Sequence, residues 1–255
     1  MRRIILLGAS NLTLAFPLLV ETLRATCGQI ELFAAHGHGR SYGMTSRVLC
    51  RTLPGIRSCR LWEDLRTGPP SAETPLAVIT DVGNDLLYGA TVPQICGWVE
   101  TCLKRLLELG TRPVVTGLPL DSVMRLGPTR YNLTKMFFFP GKGPDWSTMR
   151  NLAPELDRGL AELAARHGIP SVRPRAEWYG FDPIHIRRSH RPTAWREILT
   201  SIPGLDQSLQ TVRPGLACCV RYWRIAPATR TILGRVREMT QPGLSLTDGS
   251  RISLY

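Results

Sequence analysis

The stretch RIILLGASN, residues 3–11, decides the fold that this 255-residue sequence predicts. Residues 3–7 are almost entirely apolar, which is typical of a strand buried on both faces of a parallel sheet. Gly8 ends the run, and Ser10 follows where the chain would turn from strand into helix. Two arginines before the run imitate a secretion signal, but the apolar stretch is too short for one. We therefore expect a first strand here, in a cytoplasmic protein.

Strand and helix patterns alternate through the first 200 residues. The predicted strands are Arg3–Leu7, Ile30–Ala35, Leu76–Thr80, Pro113–Thr116 and Ile169–Val172, and the predicted helices are Leu18–Ala25, Pro93–Leu109 and Ala153–His167. This order predicts an α/β fold in which a five-stranded parallel sheet carries helices on both faces. In such sheets ligands bind beyond the carboxyl ends of the strands, so we expect the functional site at that edge.

Two regions depart from the alternation. The segment Leu118–Arg150 contains Gly-Pro pairs and the aromatic run Phe137–Phe139, and it is predicted to be a long functional or disordered loop. The aromatic run would either cover an acyl-binding cleft or pin the loop to the core. Residues 201–255 are predicted to be a C-terminal appendage packed on the domain of residues 1–200. The appendage should end in a hairpin that turns at Asp248-Gly249.

The composition argues against several classes of protein. The formal charge is +12, from 32 basic and 20 acidic residues. The basic residues, nearly all Arg, are scattered along the chain, which favours a solvated surface over a nucleic-acid-binding face. The positive charge would still favour acidic substrates. No run approaches 18 apolar residues, so no membrane span is expected. The seven Cys form no CxxC pair, which indicates a reducing compartment and no disulfide framework.

Ser10 and the stretch Asp182-Pro183-Ile184-His185 together suggest a catalytic triad. A Ser at a strand-to-helix turn lies at the top of the sheet, near backbone N–H groups that face developing negative charge. Taken alone, such a Ser is more simply explained as a helix cap. An Asp three residues before a His can hold the imidazole so that the His acts as general base toward a Ser. The predicted triad is Ser10, Asp182 and His185.

Two further strand ends provide candidate donors for an oxyanion. Asn84 follows the third strand, where its amide would reach the same edge, although Asn also favours turns and helix caps. Gly39 follows the second strand and would contribute a backbone N–H, with Gly37 as the competing position. His36 and His38 have the spacing of a strand-like metal pair, but no third ligand is evident. We therefore expect no metal and no cofactor.

These residues lie in four short motifs whose order resembles the SGNH hydrolase superfamily, also called the GDSL-type esterases and lipases. The motifs are Gly8-Ala9-Ser10-Asn11, a Gly matched best by Gly39, then Gly83-Asn84-Asp85, and Asp182-Pro183-Ile184-His185, and they span roughly residues 3–200. The resemblance implies a flavodoxin-like three-layer α/β/α sandwich. It also implies an oxyanion hole formed by the N–H groups of Ser10 and Gly39 and the side-chain amide of Asn84.

The match to the family pattern has departures. Ala9, Asn11 and Val82 stand where the family usually has Asp, Leu and Gly. The resemblance implies hydrolysis of acyl esters through a covalent acyl-enzyme. Small-molecule, carbohydrate and lipid esters, including aryl esters and thioesters, all remain open as substrates, as does the oligomeric state. The alternatives are a non-catalytic SGNH-like protein and a basic nucleic-acid-binding protein.

Overall fold

A central seven-stranded sheet organises the computed structural model, which describes residues 1–48, 51–138 and 143–255. The strands are β1 (Arg2–Leu7), β2 (Ile30–Ala35), β3 (Ser46–Val48), β4 (Arg51–Leu53), β5 (Leu76–Ile79), β6 (Arg112–Thr116), β7 (Ser171–Val172), β8 (Thr229–Ile232), β9 (Arg235–Glu238), β10 (Leu244–Ser245) and β11 (Arg251–Leu254). The helices are α1 (Ser10–Cys27), α2 (Leu61–Thr67), α3 (Asn84–Leu87), α4 (Val92–Glu108), α5 (Leu120–Val123), α6 (Pro128–Phe138), α7 (Trp146–Arg166), α8 (Arg191–Thr200) and α9 (Leu216–Trp223). Two short 3-10 helices cover Ile56–Ser58 and Ala176–Trp178.

The strand order of the central sheet is β10-β11-β2-β1-β5-β6-β7. All five predicted strands are present, and β2-β1-β5-β6-β7 pair in parallel. This is the 2-1-3-4-5 order of flavodoxin-like folds, so the predicted α/β fold is confirmed. The predicted number of five strands is wrong, because β11 pairs in parallel with β2 and β10 pairs antiparallel with β11. The hairpin of the C-terminal region thus extends the sheet at its otherwise open edge.

Alternate residues of the central strands pack into two cores, one on each face of the sheet. Ile4 and Leu6 pack with α1, α8 and α9, whereas Ile5 and Leu7 pack with α2, α4 and α7. All four side chains are fully buried. A strand covered on both faces has no polar side, which explains the unbroken apolar run in the sequence. The result is a three-layer α/β/α sandwich.

Helix α1 begins earlier than the sequence predicts. It starts at Ser10, shortly after β1, and Pro17 lies inside it, whereas the sequence predicts a helix only over Leu18–Ala25. A proline inside a helix removes one backbone hydrogen bond and costs about 3 kcal/mol. The helix is nevertheless formed, because its buried face packs against the sheet from Leu12 onward.

The segment Leu118–Arg150 differs from the predicted long loop, since α5, α6 and the first turn of α7 lie in it. Its Gly-Pro pairs suggest turns, but Pro is also favoured in the first turn of a helix, and Pro128 begins α6. Asp145 caps α7 by accepting a hydrogen bond from the Thr148 N–H at 2.8 Å. The aromatic run Phe137–Phe139 lies outside the described side chains.

A second, antiparallel sheet has the order β3-β4-β8-β9 and is not predicted by the sequence. Its strands have only three or four residues each and are rich in arginine, so no apolar alternation marks them. Residues after 200 therefore contribute strands to both sheets, and the division of the chain at residue 200 stays a prediction. Within the described ranges, no helix combines the length and the apolar character needed to cross a bilayer.

Candidate active site

The proposed nucleophile and one proposed oxyanion donor lie at the point where the strand order of the sheet reverses. Parallel pairing of Leu7 with Ile79 brings the carboxyl ends of β1 and β5 to the same edge. Ser10 begins α1 just beyond β1, and Asn84 begins α3 just beyond β5. Both side chains line one cavity. Open α/β sheets bind their ligands at this switch point, because the two adjoining crossovers lead to opposite faces and leave a crevice between them.

The N-terminus of α1 is capped from a neighbouring strand end and not by Ser10. The Asp81 carboxylate accepts hydrogen bonds from the backbone N–H groups of Ala9, Asn11 and Leu12, at 3.0, 2.9 and 3.2 Å. Asp81 thereby caps α1, and a negative charge at a helix N-terminus is favourable. Ser10 is 7% exposed, and its hydroxyl is not needed as a cap, which removes the simpler explanation of this residue.

Asp182 and His185 form the closest pair in the candidate site. His185 Nδ1 lies 2.6 Å from Asp182 Oδ2, and the N–H groups of Ile184 and His185 donate to Asp182 Oδ1 at 3.1 and 3.2 Å. Burial acts to raise the pKa of Asp182, but the hydrogen bond to His185 and the charge of His185, with the two N–H donors, bring it below its ordinary value. An ionised Asp182 fixes a proton on Nδ1 and leaves Nε2 to accept one.

Asn11 joins the loop that carries His185 to the helix that carries Ser10. Its Nδ2 donates to Asp81 Oδ1 and to the carbonyl of Ile184, both at 2.8 Å. Its Oδ1 accepts from the Ile186 N–H at 2.8 Å. The two loop contacts flank His185 on either side, so the Asn11 side chain helps to hold that imidazole relative to the start of α1. The contact between Ser10 and His185 itself stays a prediction, because no described hydrogen bond involves the Ser10 hydroxyl.

Gly39 lies in the turn after β2 and has a left-handed backbone, with φ of 62°. The Tyr88 hydroxyl donates to the Gly39 carbonyl at 2.6 Å, and the Asn84 amide donates to the Arg40 carbonyl at 3.4 Å. The Asn84 amide therefore adjoins this turn. Gly37 is constrained differently, since a Cβ there would lie 2.6 Å from Leu53 Cδ1. Position 39 favours glycine because of its left-handed backbone, and position 37 favours glycine because a side chain would meet Leu53. The two positions therefore stay alternatives for the backbone N–H that would donate to an oxyanion.

The two histidines of the same turn occupy different environments. His36 Nδ1 lies 3.0 Å from the Thr13 hydroxyl, and its ring packs on Phe16 with centroids 4.5 Å apart. Burial, followed by the charge of nearby arginines, lowers the pKa of His36 to about 3, which keeps it neutral. Burial and then the charge of His185 lower the pKa of His38. Within the part of the chain that the structure describes, no group of three His, Cys, Asp or Glu side chains could hold a metal ion.

The cavity at Ser10 and Asn84 encloses about 1070 Å³, including the part open to solvent. Most of the side chains around it are apolar, among them Leu86, Leu118, Leu126, Met149, Ala153 and Ile186. Several of these come from α7 and from the segment around α5 and α6, where the sequence predicts a loop. A largely apolar cavity with a few polar groups at one place is the usual form of a small-molecule site.

Two groups in this region are not assigned a role by the sequence. Asn11 is visible only as a departure from the usual Leu, and its position beside Ser10 is the one local signal. Asp85 is visible only as the last residue of the motif Gly83-Asn84-Asp85, and it is the second residue of α3. Its carboxylate is fully buried, however, and accepts hydrogen bonds from the Ser41 hydroxyl and from the Tyr42 N–H at 3.0 Å. It therefore also holds the turn that contains Gly39.

Comparison with known proteins gives limited similarity. The chain matches no model of a protein family and none of the curated proteins. Among solved structures it is similar to esterase EstA from Pseudoalteromonas sp. (15% identity, 79% of this chain, 97% of that chain, TM-score 0.48). It is also similar to a member of the lipolytic protein G-D-S-L family from Veillonella parvula (15%, 75%, 92%, 0.46) and to the acetyl xylan esterase AlAXEase (12%, 76%, 99%, 0.48). All three TM-scores lie below 0.5.

Proposed function

We propose that this protein hydrolyses acyl esters, with Ser10 as nucleophile, His185 as general base and Asp182 as the residue that orients His185. The observation that carries the proposal is the 2.6 Å pair of Asp182 and His185. It stands on a loop that Asn11 ties to the helix beginning at Ser10. A carboxylate paired with an imidazole in this way supports the proposal, because such a pair activates a serine hydroxyl that the imidazole reaches.

The reaction would proceed in two halves. His185 removes the proton of the Ser10 hydroxyl while the oxygen attacks the ester carbonyl, and the imidazolium then protonates the leaving alcohol. Water, deprotonated by His185, attacks the acyl-enzyme and releases the acid together with free Ser10. Asp182 stays ionised throughout and stabilises the imidazolium. No cofactor enters these steps.

The negatively charged oxygen of each tetrahedral intermediate needs hydrogen-bond donors near Ser10, at the point where the strand order of the sheet reverses. The Ser10 N–H stands in the first turn of α1, whose N-terminus carries a partial positive charge. The Asn84 side chain lines the same cavity as Ser10, and the turn of Gly39 lies next to Asn84. We assign the oxyanion hole to the N–H groups of Ser10 and Gly39 and to the amide of Asn84.

The lining of the cavity favours an ester with an apolar acyl chain. The side chains beyond Ser10 and Asn84 include several leucines and Met149, which gain free energy by burying hydrocarbon at about 25 cal/mol per Å². We therefore expect turnover to increase as the acyl chain lengthens from acetyl, within the limit set by the cavity.

Labelling with a fluorophosphonate probe, followed by mapping of the modified residue, tests the assignment. The probe should modify Ser10, and Ser10→Ala should lose both labelling and ester hydrolysis. Ser189→Ala is the matched control, because Ser189 is exposed and lies four residues beyond His185 in the chain; it should keep both properties. Modification of another residue, or wild-type turnover by Ser10→Ala, would show that the assignment is wrong.

The same variants separate a catalytic relay from independent contributions. Ser10→Ala and His185→Ala should each abolish nearly all turnover, and the double variant should be little worse, because either change disables one shared step. Asn84→Ala should lower kcat by about 10²–10³ with KM nearly unchanged, because it removes one oxyanion donor. Each variant needs a thermal melt as control for folding. Additive effects of the Ser10 and His185 changes would contradict the triad.

A further inference from the structure

The second sheet presents four arginines on one of its faces. In an antiparallel sheet, residues directly opposite each other share a face and successive residues alternate. Arg51 is opposite Ile232, Ile232 is opposite Arg235, and Arg230 is opposite Arg237. Arg51, Arg230, Arg235 and Arg237 therefore share one face of β4, β8 and β9, which we name the arginine face. Arg47 on β3 is opposite Thr52 and lies on the other face.

The arginine face adjoins the turn that contains Gly39. Leu53 belongs to this face, and its Cδ1 lies 2.6 Å from where a Cβ of Gly37 would stand. Arg51 Nη2 lies 3.3 Å from the same point. The charge of Arg51 also reaches His38, whose pKa is lowered first by burial, then by His185 and Arg51. The row of guanidinium groups thus starts beside the proposed oxyanion turn and leads away from it across the sheet.

The arginines of this face have no anionic partner within the part of the chain that the structure describes. Among the described residues, none of the four guanidinium groups makes a hydrogen bond or ion pair, and Arg230 Nε is buried without an acceptor. Arg230 and Arg237 are directly opposite, an arrangement that destabilises a sheet when both charges are alike. Burial, and then the charge of Arg230, lowers the pKa of Arg51. An anion bound between these groups would relieve both the repulsion and the missing hydrogen bonds.

We propose that the arginine face binds a phosphate group carried by the alcohol part of the ester substrate. This inference rests on the proposed ester hydrolysis and specifies its substrate. Guanidinium groups donate paired hydrogen bonds that match phosphate oxygens, and a phosphate dianion can engage Arg51 and Arg230 together. No residue of the arginine face lines the apolar cavity. The acyl chain and the phosphate would therefore lie on different sides of Ser10, and hydrolysis would release a phosphorylated alcohol.

Binding of inorganic phosphate, measured by calorimetry, tests the site without any catalysis. Arg51→Gln and Arg230→Gln should each weaken phosphate binding about tenfold, the effect of losing one charge-assisted contact. Arg47→Gln is the matched control, since it removes the same charge from the other face of the same sheet, and it should keep the wild-type affinity. Equal weakening by all three variants would mean attraction by net charge alone and would overturn the proposal. Thermal melts verify that each variant is folded.

Kinetics on two matched esters then tests the link to the reaction. The substrates are the monobutyrate of ethylene glycol and its phosphorylated counterpart, 2-(butyryloxy)ethyl phosphate. Wild-type kcat/KM should be higher for the phosphorylated ester, and Arg51→Gln should lower that ratio about tenfold, whereas Arg47→Gln should leave it unchanged. A ratio of one or less in the wild type, with the neutral ester hydrolysed, would overturn this inference alone. Hydrolysis of neither ester, with phosphate bound as expected, would contradict the proposed function instead.

Discussion

Asn11 links the two parts of the candidate site, the start of α1 with Ser10 and the loop with His185. It contacts Asp81 on the strand side and the backbone of Ile184 and Ile186 on the side of His185. The sequence shows Asn11 only as a residue beside Ser10, and its two loop partners, Ile184 and Ile186, lie more than 170 positions away in the chain. No local pattern can reveal such a contact. By contrast, Asp182 and His185 are three residues apart, so their pairing is predictable from spacing alone.

Replacing Asn11 by Leu, the usual family residue, should slow the reaction without abolishing binding. The Ile186 N–H would lose its acceptor, which costs about 1–3 kcal/mol for a buried group, and the loop of His185 would shift. Misplacement of a catalytic base by about 1 Å lowers kcat by roughly 100-fold, so we expect a fall of about 10- to 100-fold with little change in KM.

Asn151→Leu is the control for this prediction, because Asn151 is exposed on α7. Steady-state kinetics on one ester gives kcat and KM separately for both variants. A change confined to KM would mean that Asn11 contacts the substrate and does not position His185. An unchanged kcat would mean that the loop is held by other contacts.

At the scale of elements, the segment Leu118–Arg150 shows why periodicity fails where helices are short. α5 has four residues, and α6 begins after Gly127, so glycine and proline dominate the local pattern. Helix signals need two or more turns to emerge from such a background. The same limit hides the strands of the second sheet. By contrast, α4 is predicted to within one residue at each end, whereas the predicted helices over Leu18–Ala25 and Ala153–His167 begin too late by seven or eight residues.

A larger side chain on α7 that projects into the cavity should change the length of acyl chain that the protein prefers. Ala153 is 2% exposed and lines the cavity, so Ala153→Leu would fill space that a long acyl chain needs. We expect the ratio of kcat/KM for an octanoyl ester to that for an acetyl ester to fall about tenfold, since each excluded methylene is worth about 1 kcal/mol.

Ala161→Leu makes the same change at an exposed position of the same helix and should leave this ratio unaltered. Measuring a series of esters from acetyl to decanoyl gives the profile for each variant. If Ala153→Leu slowed all esters in equal proportion while remaining folded, the acyl chain would lie elsewhere.

At the scale of the whole molecule, the order of the five central strands can be predicted from the order of elements along the chain. The strands that extend the sheet beyond β2 cannot be predicted in this way. Five alternating strand and helix units, joined by right-handed crossovers, leave few arrangements for a parallel sheet. The hairpin β10–β11 is predicted as a hairpin, yet its pairing with β2 is between residues more than 200 positions apart. The motif Gly83-Asn84-Asp85 likewise predicts Asn84 and Asp85 at a strand end. The hydrogen-bond partners of Asp85, Ser41 and Tyr42, cannot be predicted, because they lie more than 40 positions earlier in the chain.

Asp85 should make the stability of the protein depend on pH. Its carboxylate accepts hydrogen bonds from Ser41 and from the Tyr42 N–H, and the Tyr42 hydroxyl lies 3.0 Å from the Leu7 carbonyl and 2.8 Å from the Thr80 carbonyl. The buried carboxylate thus holds the turn of Gly39 against the ends of β1 and β5. Burial raises the pKa of Asp85 to about 6, and the hydrogen bonds that it accepts only partly oppose this.

The stability of the protein should therefore contain a contribution from Asp85 that declines as pH rises. Between about pH 4 and pH 6 the folded state holds a proton that the unfolded state has released, so the free energy of unfolding falls with pH over this window. The loss amounts to about 3 kcal/mol by pH 7. Asp85→Asn cannot ionise, so urea unfolding from pH 4 to 7.5 should show the variant gaining about 3 kcal/mol relative to wild type. A difference between Asp85→Asn and wild type that stays constant with pH would mean that folding does not raise the pKa of Asp85.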